Sequence, residues 1–301
     1  MISAVVHVYN EEKNIARCLS SLYWVDEIVL VDMGSTDGTV ARAKEFKAKV
    51  FQHPYTGFVE PARNFGLEQA KGEWILVVDA DEEIPKTLAD ILLTKKTNTS
   101  VNFYRLPRRN IIFGSWVKHS GWWPDHQIRF FKKGTVSWNE KIHGIPFTKG
   151  KGEDIEASEH TSINHYNYQT IEQFISRLNR YTNISAKELF LSRQKFSFHC
   201  LFEMPAKEFI HRYFVWKGYK DGIHGLALSL LQAFSELVIY LKLWELEDFK
   251  EEKVTLSKVE KLLVNEFKLK QYWLITEELN ESHTFVGKIK RKVKRKLHMY
   301  G

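Results

Sequence analysis

Cysteine is scarce in this chain: Cys18 and Cys200 are the only two among 301 residues. They offer neither a disulfide framework nor a zinc-ligand spacing, so two inert thiols in a reducing compartment are expected. Long hydrophobic runs are missing too. No stretch reaches the roughly 18 uninterrupted apolar residues of a membrane span. No basic leader or cleavage site precedes the first strand-like run, residues 2–8, so no export signal is expected. No internal repeat is evident. An excess of one charge is also missing over most of the chain. The net charge is +7, and the stretch 288–296 alone holds seven Lys and Arg. The rest is nearly balanced and shows no basic face for a nucleic acid. Disorder is excluded as well, because 44% of residues are hydrophobic and 14% aromatic.

What is present is a sharp boundary between apolar and acidic residues. Trp74-Ile75-Leu76-Val77-Val78 runs directly into Asp79-Ala80-Asp81-Glu82-Glu83. Unpaired charges are costly to bury, so this cluster does not belong in mid-strand. At the carboxyl edge of a parallel sheet it would face a ligand crevice. Two Asp separated by one residue can share a hard divalent cation. The plainer reading is a charge cluster at a helix start, and Glu82 and Glu83 fit that equally.

The first hundred residues alternate strand and helix, which implies βαβ units and a parallel sheet. Strands are expected over 3–8, 27–32, 49–53 and 74–78, and helices over 11–22, 39–48 and 60–70. Beyond Asp81 a helix is expected over 85–93 and strands over 101–107 and 127–132. Between those two strands lies a loop-rich region with Trp116, Trp122 and Trp123. From residue 170 helices dominate: 170–190, 205–213 and 223–246. The last carries a stripe at Leu226, Leu230, Phe234, Leu237, Leu241 and Trp244. Gln232, Glu236 and Lys242 argue against a simple span, leaving either packing on its own domain or contact with a membrane surface or partner. Mixed charge over 245–270 reads as a solvated helix face.

Four segments occur in order: Val8-Tyr9-Asn10-Glu11-Glu12; Val31-Asp32-Met33-Gly34-Ser35-Thr36-Asp37-Gly38-Thr39; Ala62-Arg63-Asn64-x-Gly66-x-x-x-Ala70-x-Gly72-Glu73-Trp74; and Asp79-x-Asp81. The series resembles family 2 glycosyltransferases. A second series is His119-Ser120-Gly121-Trp122-Trp123-Pro124-Asp125-x-Gln127-x-Arg129-x-Phe131, then His143, then His165-Tyr166-x-Tyr168. It resembles bacterial lipopolysaccharide-core glycosyltransferases, typified by enzymes that add β-linked glucose to inner-core heptose. The resemblance implies a GT-A nucleotide-sugar fold: an α/β mixed, mainly parallel sheet flanked by helices. It covers about residues 1–186, with the nucleotide-sugar half over 1–100 and the acceptor half over 101–186. A helical extension with a basic tail follows over 187–301.

The resemblance implies an inverting glycosyltransferase with a nucleotide-diphosphate sugar donor, such as UDP-glucose, and divalent Mn²⁺ or Mg²⁺. Asp81 is the expected metal ligand. Asp79 is assigned either to the metal or to ribose and sugar hydroxyls. His143 is a further candidate ligand, the bland reading being a structural His. Tyr9, Asn10, Glu11 and Asp32 are expected around the nucleoside, although Glu11 could equally serve as a helix cap. Many relatives have an Asp where this chain has Met33, which leaves the base open. Arg63 is expected on phosphate or ribose, because a planar guanidinium suits both. The acceptor hydroxyl needs a general base. The resemblance implies the acidic residue after the Gly-Trp loop, Asp125, whose plainer reading is a turn or helix cap; Glu140 is the second choice, and Gly144, where relatives place an acidic residue, argues against a carboxylate there. His165 reads as structural or as a support just behind the site, and the three Trp as sugar contacts or a local core.

A lipid-linked glycan acceptor is expected at the inner face of a bacterial cytoplasmic membrane. The protein is then cytoplasmic and peripheral, in contact with anionic lipid through its basic tail. Two other classes remain: a nucleic-acid-binding module using that tail, and a sugar nucleotidyltransferase. The latter would show a Gly-rich phosphate loop after the first strand, where Tyr9-Asn10-Glu11-Glu12 has no Gly.

Overall fold

The computed structural model describes residues 1–55, 59–139 and 146–281. Glu140, His143 and the basic stretch 288–296 lie outside the described residues. The chain divides into two compact units, residues 1–111 with 122–167, and residues 112–121 with 168–301. The expected domain boundary at 186 falls inside a long helix of the second unit.

The first unit is built as β1 (Ile2–Val8), α1 (Ile15–Ser20), β2 (Glu27–Asp32), α2 (Thr39–Glu45), β3 (Lys49–Gln52), α3 (Glu60–Gln69), β4 (Trp74–Asp79), β5 (Glu82–Glu83), α4 (Lys86–Lys95) and β6 (Phe103–Ile112). After β7 (Ser115–Trp116), which belongs to the second unit, come β8 (Asp125–Lys132), β9 (Val136–Ser137), β10 (Phe147–Thr148), β11 (Gly152–Asp154) and β12 (Ile163–His165). The sheet runs β3-β2-β1-β4-β8-β6-β12-β5, with β11 also on β6. β3, β2, β1 and β4 are mutually parallel, while β8 lies antiparallel to β4 and to β6. β9 and β10 form a separate antiparallel pair.

Every residue of β1 is buried, as expected of a strand covered on both faces. Its alternation divides the strand between two cores. Ile2, Ala4, Val6 and Val8 join Ile15, Leu19, Leu88 and Leu92. Val5 joins Val29, Val31, Val77 and Ala62 on the opposite face. Helix α3 comes so close to that face that a Cβ at Gly66 would stand 2.7 Å from Val5 Cγ1 and 2.9 Å from His7 Nε2. Glycine is required there by proximity rather than by backbone angle. Helix α1 begins later than the periodicity predicts. The backbone N–H groups of Glu11 and Glu12 donate to Thr39 Oγ1 and an Asp37 carboxylate oxygen, which holds 11–14 as turns.

In the second unit α5 (Ile171–Leu191), α6 (Cys200–Ile210), α7 (Gly222–Leu246) and α8 (Leu256–Glu281) follow one another. Helix α7 packs on α5 and α6, and buries Leu228, Ala233, Tyr240 and Leu243. The stripe read from the sequence is divided: Leu226, Leu237 and Trp244 are half-buried. Leu230, Phe234 and Leu241 are exposed along with Ile223. Among the described residues, 218–246 is the one helical segment long and apolar enough to cross a membrane by length and composition, with a hydropathy of 1.5. Lys242 nevertheless donates from Nζ to Asn179 O and Thr182 Oγ1 of α5, tying α7 into a helical layer.

Candidate active site

Two loops at the carboxyl ends of β1 and β2 are laced together. Asn10 takes a left-handed conformation, φ 55°, which its short polar side chain tolerates. Its Oδ1 accepts from Thr36 N at 2.8 Å, and its own N–H donates to Ser35 Oγ at 3.0 Å. Asp32 is buried at the end of β2, where Oδ1 accepts from Ser35 N at 3.1 Å. Tyr9 stacks on Tyr55 with ring centroids 4.0 Å apart. Tyr9, Asn10, Glu11 and Asp32 thus lie at the carboxyl ends of β1 and β2.

Beside them, β4 delivers Asp79 into a cage of guanidinium groups. Arg129 Nη2 pairs with Asp79 Oδ2, and Arg63 Nη2 lies 3.2 Å from Oδ1. Burial works to raise the Asp79 pKa, but the two arginines outweigh it and hold the carboxyl well below its usual range. His7, opposite Asp79 in the register of β1 and β4, is buried beneath. Burial and the Arg63 charge lower its pKa to about 3, so it stays neutral. Its Nε2–H donates to Ala62 O at 3.1 Å.

The cage continues as a chain of alternating charge. Arg129 Nη2 lies 2.9 Å from Glu82 Oε1, and Arg108 Nη1 reaches the same oxygen at 3.4 Å. Arg108 Nη2 is 2.6 Å from Asp125 Oδ2. The order is therefore Arg63–Asp79–Arg129–Glu82–Arg108–Asp125. Glu82 is fully buried in β5 and its Oε2 accepts from Asp79 N at 2.9 Å. The helix-start reading of Glu82 is thus corrected. Its carboxylate turns inward, because two arginines and a backbone N–H satisfy it there.

Asp125 opens β8 and accepts from Arg108, from Gln127 Nε2 at 2.7 Å and from Asn110 Nδ2 at 3.3 Å. Burial pushes its pKa up, while Arg108, Gln127 and Asn110 more than reverse this and keep the carboxyl ionised. A second path leads from Asp125 back to the β4 end. Asn110 Oδ1 lies 2.6 Å from His165 Nδ1, and His165 Nε2 lies 3.6 Å from Asp81 Oδ1. Asp81 is buried, and its carbonyl accepts from Tyr166 N at 2.9 Å. Among the described residues no group of three or more His, Cys, Asp or Glu is arranged to hold a metal ion.

Comparison with known proteins decides the family. The model of glycosyl transferase family 2 matches residues 3–149. An uncharacterized glycosyltransferase of Rickettsia felis is 30% identical over 263 residues, 81% of this chain and 89% of the relative. The chain belongs to glycosyl transferase family 2. The lipopolysaccharide core biosynthesis glycosyltransferase LpsC of Rhizobium meliloti is 26% identical over 77% of this chain and 90% of its own. Among solved structures, this glycosyltransferase is similar to S. aureus TarS in complex with UDP, with a TM-score of 0.33 and 33% identity over 36% of each chain. It is also similar to glucosyl-3-phosphoglycerate synthase from Mycobacterium tuberculosis in complex with Mn²⁺, UDP and phosphoglyceric acid. There the TM-score is 0.33, with 25% identity over 36% of this chain and 43% of the other. The GT-A α/β fold follows from the family and the strand order rather than from these partial overlaps.

Several residues of this charged cluster escape a motif-based reading: Arg108, Asn110 and Glu82, and the pairing of Arg129. A signal for most of them was present. Arg108 and Asn110 stand two apart in β6, and Asp125, Gln127 and Arg129 stand two apart in β8. Such alternation places each set on one face of its strand, and the register sets Arg108 across from Asp125. Of the three Trp, Trp116 belongs to the second unit, and Trp122 offers its carbonyl to Asn110 in the first.

Proposed function

We propose that this family 2 glycosyltransferase is an inverting hexosyltransferase. It takes a sugar from a nucleotide diphosphate, UDP-glucose being the first donor to test, and passes it to a lipid-linked glycan such as lipopolysaccharide core. One observation carries the reading: Asp79 ends the central strand β4 and Asp81 lies in the turn just after it, at the same edge as Tyr9, Asn10 and Asp32. In open α/β sheets that edge is where a nucleotide binds. The LpsC relative supports the acceptor class.

The Asp81 carboxylate, beside an imidazole nitrogen, is a donor set that suits Mn²⁺ or Mg²⁺. A cation held there would supply positive charge to offset that of the diphosphate leaving group. Asp79 orients Arg63 and Arg129. Arg63 Nη1 is buried with no hydrogen-bond partner among the described residues, and we assign it to the donor's phosphate or ribose. Tyr9, Asn10, Glu11 and Asp32 shape the nucleoside end.

Asp125 is the proposed base. It takes the proton of the acceptor hydroxyl as that oxygen attacks the anomeric carbon, and one displacement on an α-linked donor yields a β-linkage. Glu140 stands as the second candidate base and His143 as a further metal ligand. The exposed α7 residues Ile223, Leu230, Phe234 and Leu241, with the basic stretch 288–296, are proposed to rest on an anionic membrane surface at the cytoplasmic side. The test is a panel of nucleotide sugars titrated calorimetrically with and without Mn²⁺. Binding of one uridine sugar in the presence of Mn²⁺ is expected. Binding of none would sink the donor assignment.

A further inference from the structure

Helix α8 carries an exposed apolar seam. The helix packs on α6 and buries Ile275 and Leu279. Leu256, Leu263, Phe267 and Leu274 are instead 91%, 52%, 62% and 49% exposed. With Glu260 and Lys270 they recur at intervals of 4, 3, 4, 3 and 4 residues. A mean spacing of about 3.5 residues holds all six on one narrow stripe, the period at which two helices wind about each other. Glu260 stands inside the stripe, where an anionic lipid surface would repel it. A helix lying on such a surface keeps its apolar face clear of acid and lines the polar face with Lys and Arg.

Along the seam the residues read Leu-Glu-Leu-Phe-Lys-Leu, and in reverse Leu-Lys-Phe-Leu-Glu-Leu. Laid one on the other, the two orders set apolar against apolar at every apolar layer and each charge against its opposite. Two copies of α8 related by a two-fold axis and running antiparallel therefore match throughout. Leu256 meets Leu274, Glu260 meets Lys270 and Leu263 meets Phe267, and symmetry repeats each contact. A parallel pair fails, because it sets Glu260 on Glu260 and Lys270 on Lys270. Glu260 is exposed. Lys270 lies 2.5 Å from Glu266 on its own helix, yet its side chain is 40% exposed, so it can accept a second carboxylate. We propose that α8 is a homodimer interface, in which two copies of this chain pair antiparallel through the seam. It is roughly 27 Å long, and four apolar side chains from each copy leave water when it closes. The pairing goes beyond the sugar-transfer reading and does not depend on it.

The experiment is sedimentation equilibrium of the full chain over a range of concentrations. Native protein should approach twice the chain mass as concentration rises. Glu260→Lys and Lys270→Glu each set like charges together at two layers, so each should raise the dimer dissociation constant about tenfold or more. Combined in one chain, the two substitutions restore opposite charges and should bring the constant back to within a few-fold of native. Leu263→Glu with Phe267→Glu should give a monomer, and an unchanged circular-dichroism melt shows that it is folded. A native protein that stays monomeric at every concentration would overturn the proposal, as would a dimer indifferent to Leu263→Glu with Phe267→Glu. Charge substitutions that weaken the dimer singly but do not compensate in combination would overturn the antiparallel register. Reduced cosedimentation of the Leu263→Glu, Phe267→Glu variant with anionic vesicles, at unchanged mass, would assign α8 to a lipid surface instead.

Discussion

Asp79 and Asp81 stand two residues apart, yet their surroundings give them different work. Asp79 is neutralised by Arg63 and Arg129, whereas Asp81 faces an imidazole. Removing Arg129 leaves Asp79 and Glu82 short of a buried counter-charge. Arg129→Met should therefore cost about 3–5 kcal/mol of stability at pH 7, read by chemical denaturation. The pH dependence follows from the same contacts. The folded-state pKa of Asp79 lies below its unfolded value of about 3.9. Its stabilising contribution is complete above that value and is lost as pH falls through the folded one. Native protein should therefore lose melting temperature as pH drops below about 4, with a smaller drop in Arg129→Met. Equal slopes would contradict the pairing. Asp125→Asn should lower kcat by about 10²- to 10⁴-fold while donor binding stays constant. An unchanged kcat would move the base elsewhere. Both Asp were legible because an apolar strand ends abruptly in charge. The partners of Asp79 were not, since Arg129 lies 50 residues away in sequence and only the sheet order brings it near.

At the scale of elements, the βαβ alternation of the first hundred residues was readable from hydrophobic period and turn residues. β5 and β12 were not. They are two and three residues long, and exist because they close the sheet beside β6. Strands that short carry no periodicity of their own. Helix α1 shows the opposite failure, where an apolar stripe suggested four more residues than side chains from the neighbouring loop allow. Gly66 tests the seat of α3 on β1. A Cβ there meets Val5 and His7, so Gly66→Ala should cost roughly 1–3 kcal/mol, read from the denaturation midpoint. It should also weaken nucleotide binding, because Arg63 rides on the same helix. A neutral outcome would show that α3 can shift freely.

At the scale of the whole molecule, the second unit is helical, and among the described residues Ile223, Leu230, Phe234 and Leu241 of α7 are exposed. Its apolar content was legible, but which stripe faces inward was not, because α7 is apolar around most of its circumference. Leu230→Glu combined with Phe234→Glu should leave the fold unchanged and reduce cosedimentation with anionic vesicles several-fold. Removing residues 288–301 should do the same in a salt-dependent way. Undiminished sedimentation in both would assign α7 to some other contact. The central claim is narrower: Asp81 at the end of β4 serves metal-dependent turnover of a nucleotide sugar. The most direct measurement is nucleotide release from UDP-glucose, with and without Mn²⁺, by native protein and Asp81→Ala. Release that requires Mn²⁺ in the native protein and falls to background in the variant is expected. Equal release by the two proteins, or release indifferent to the metal, would contradict the account.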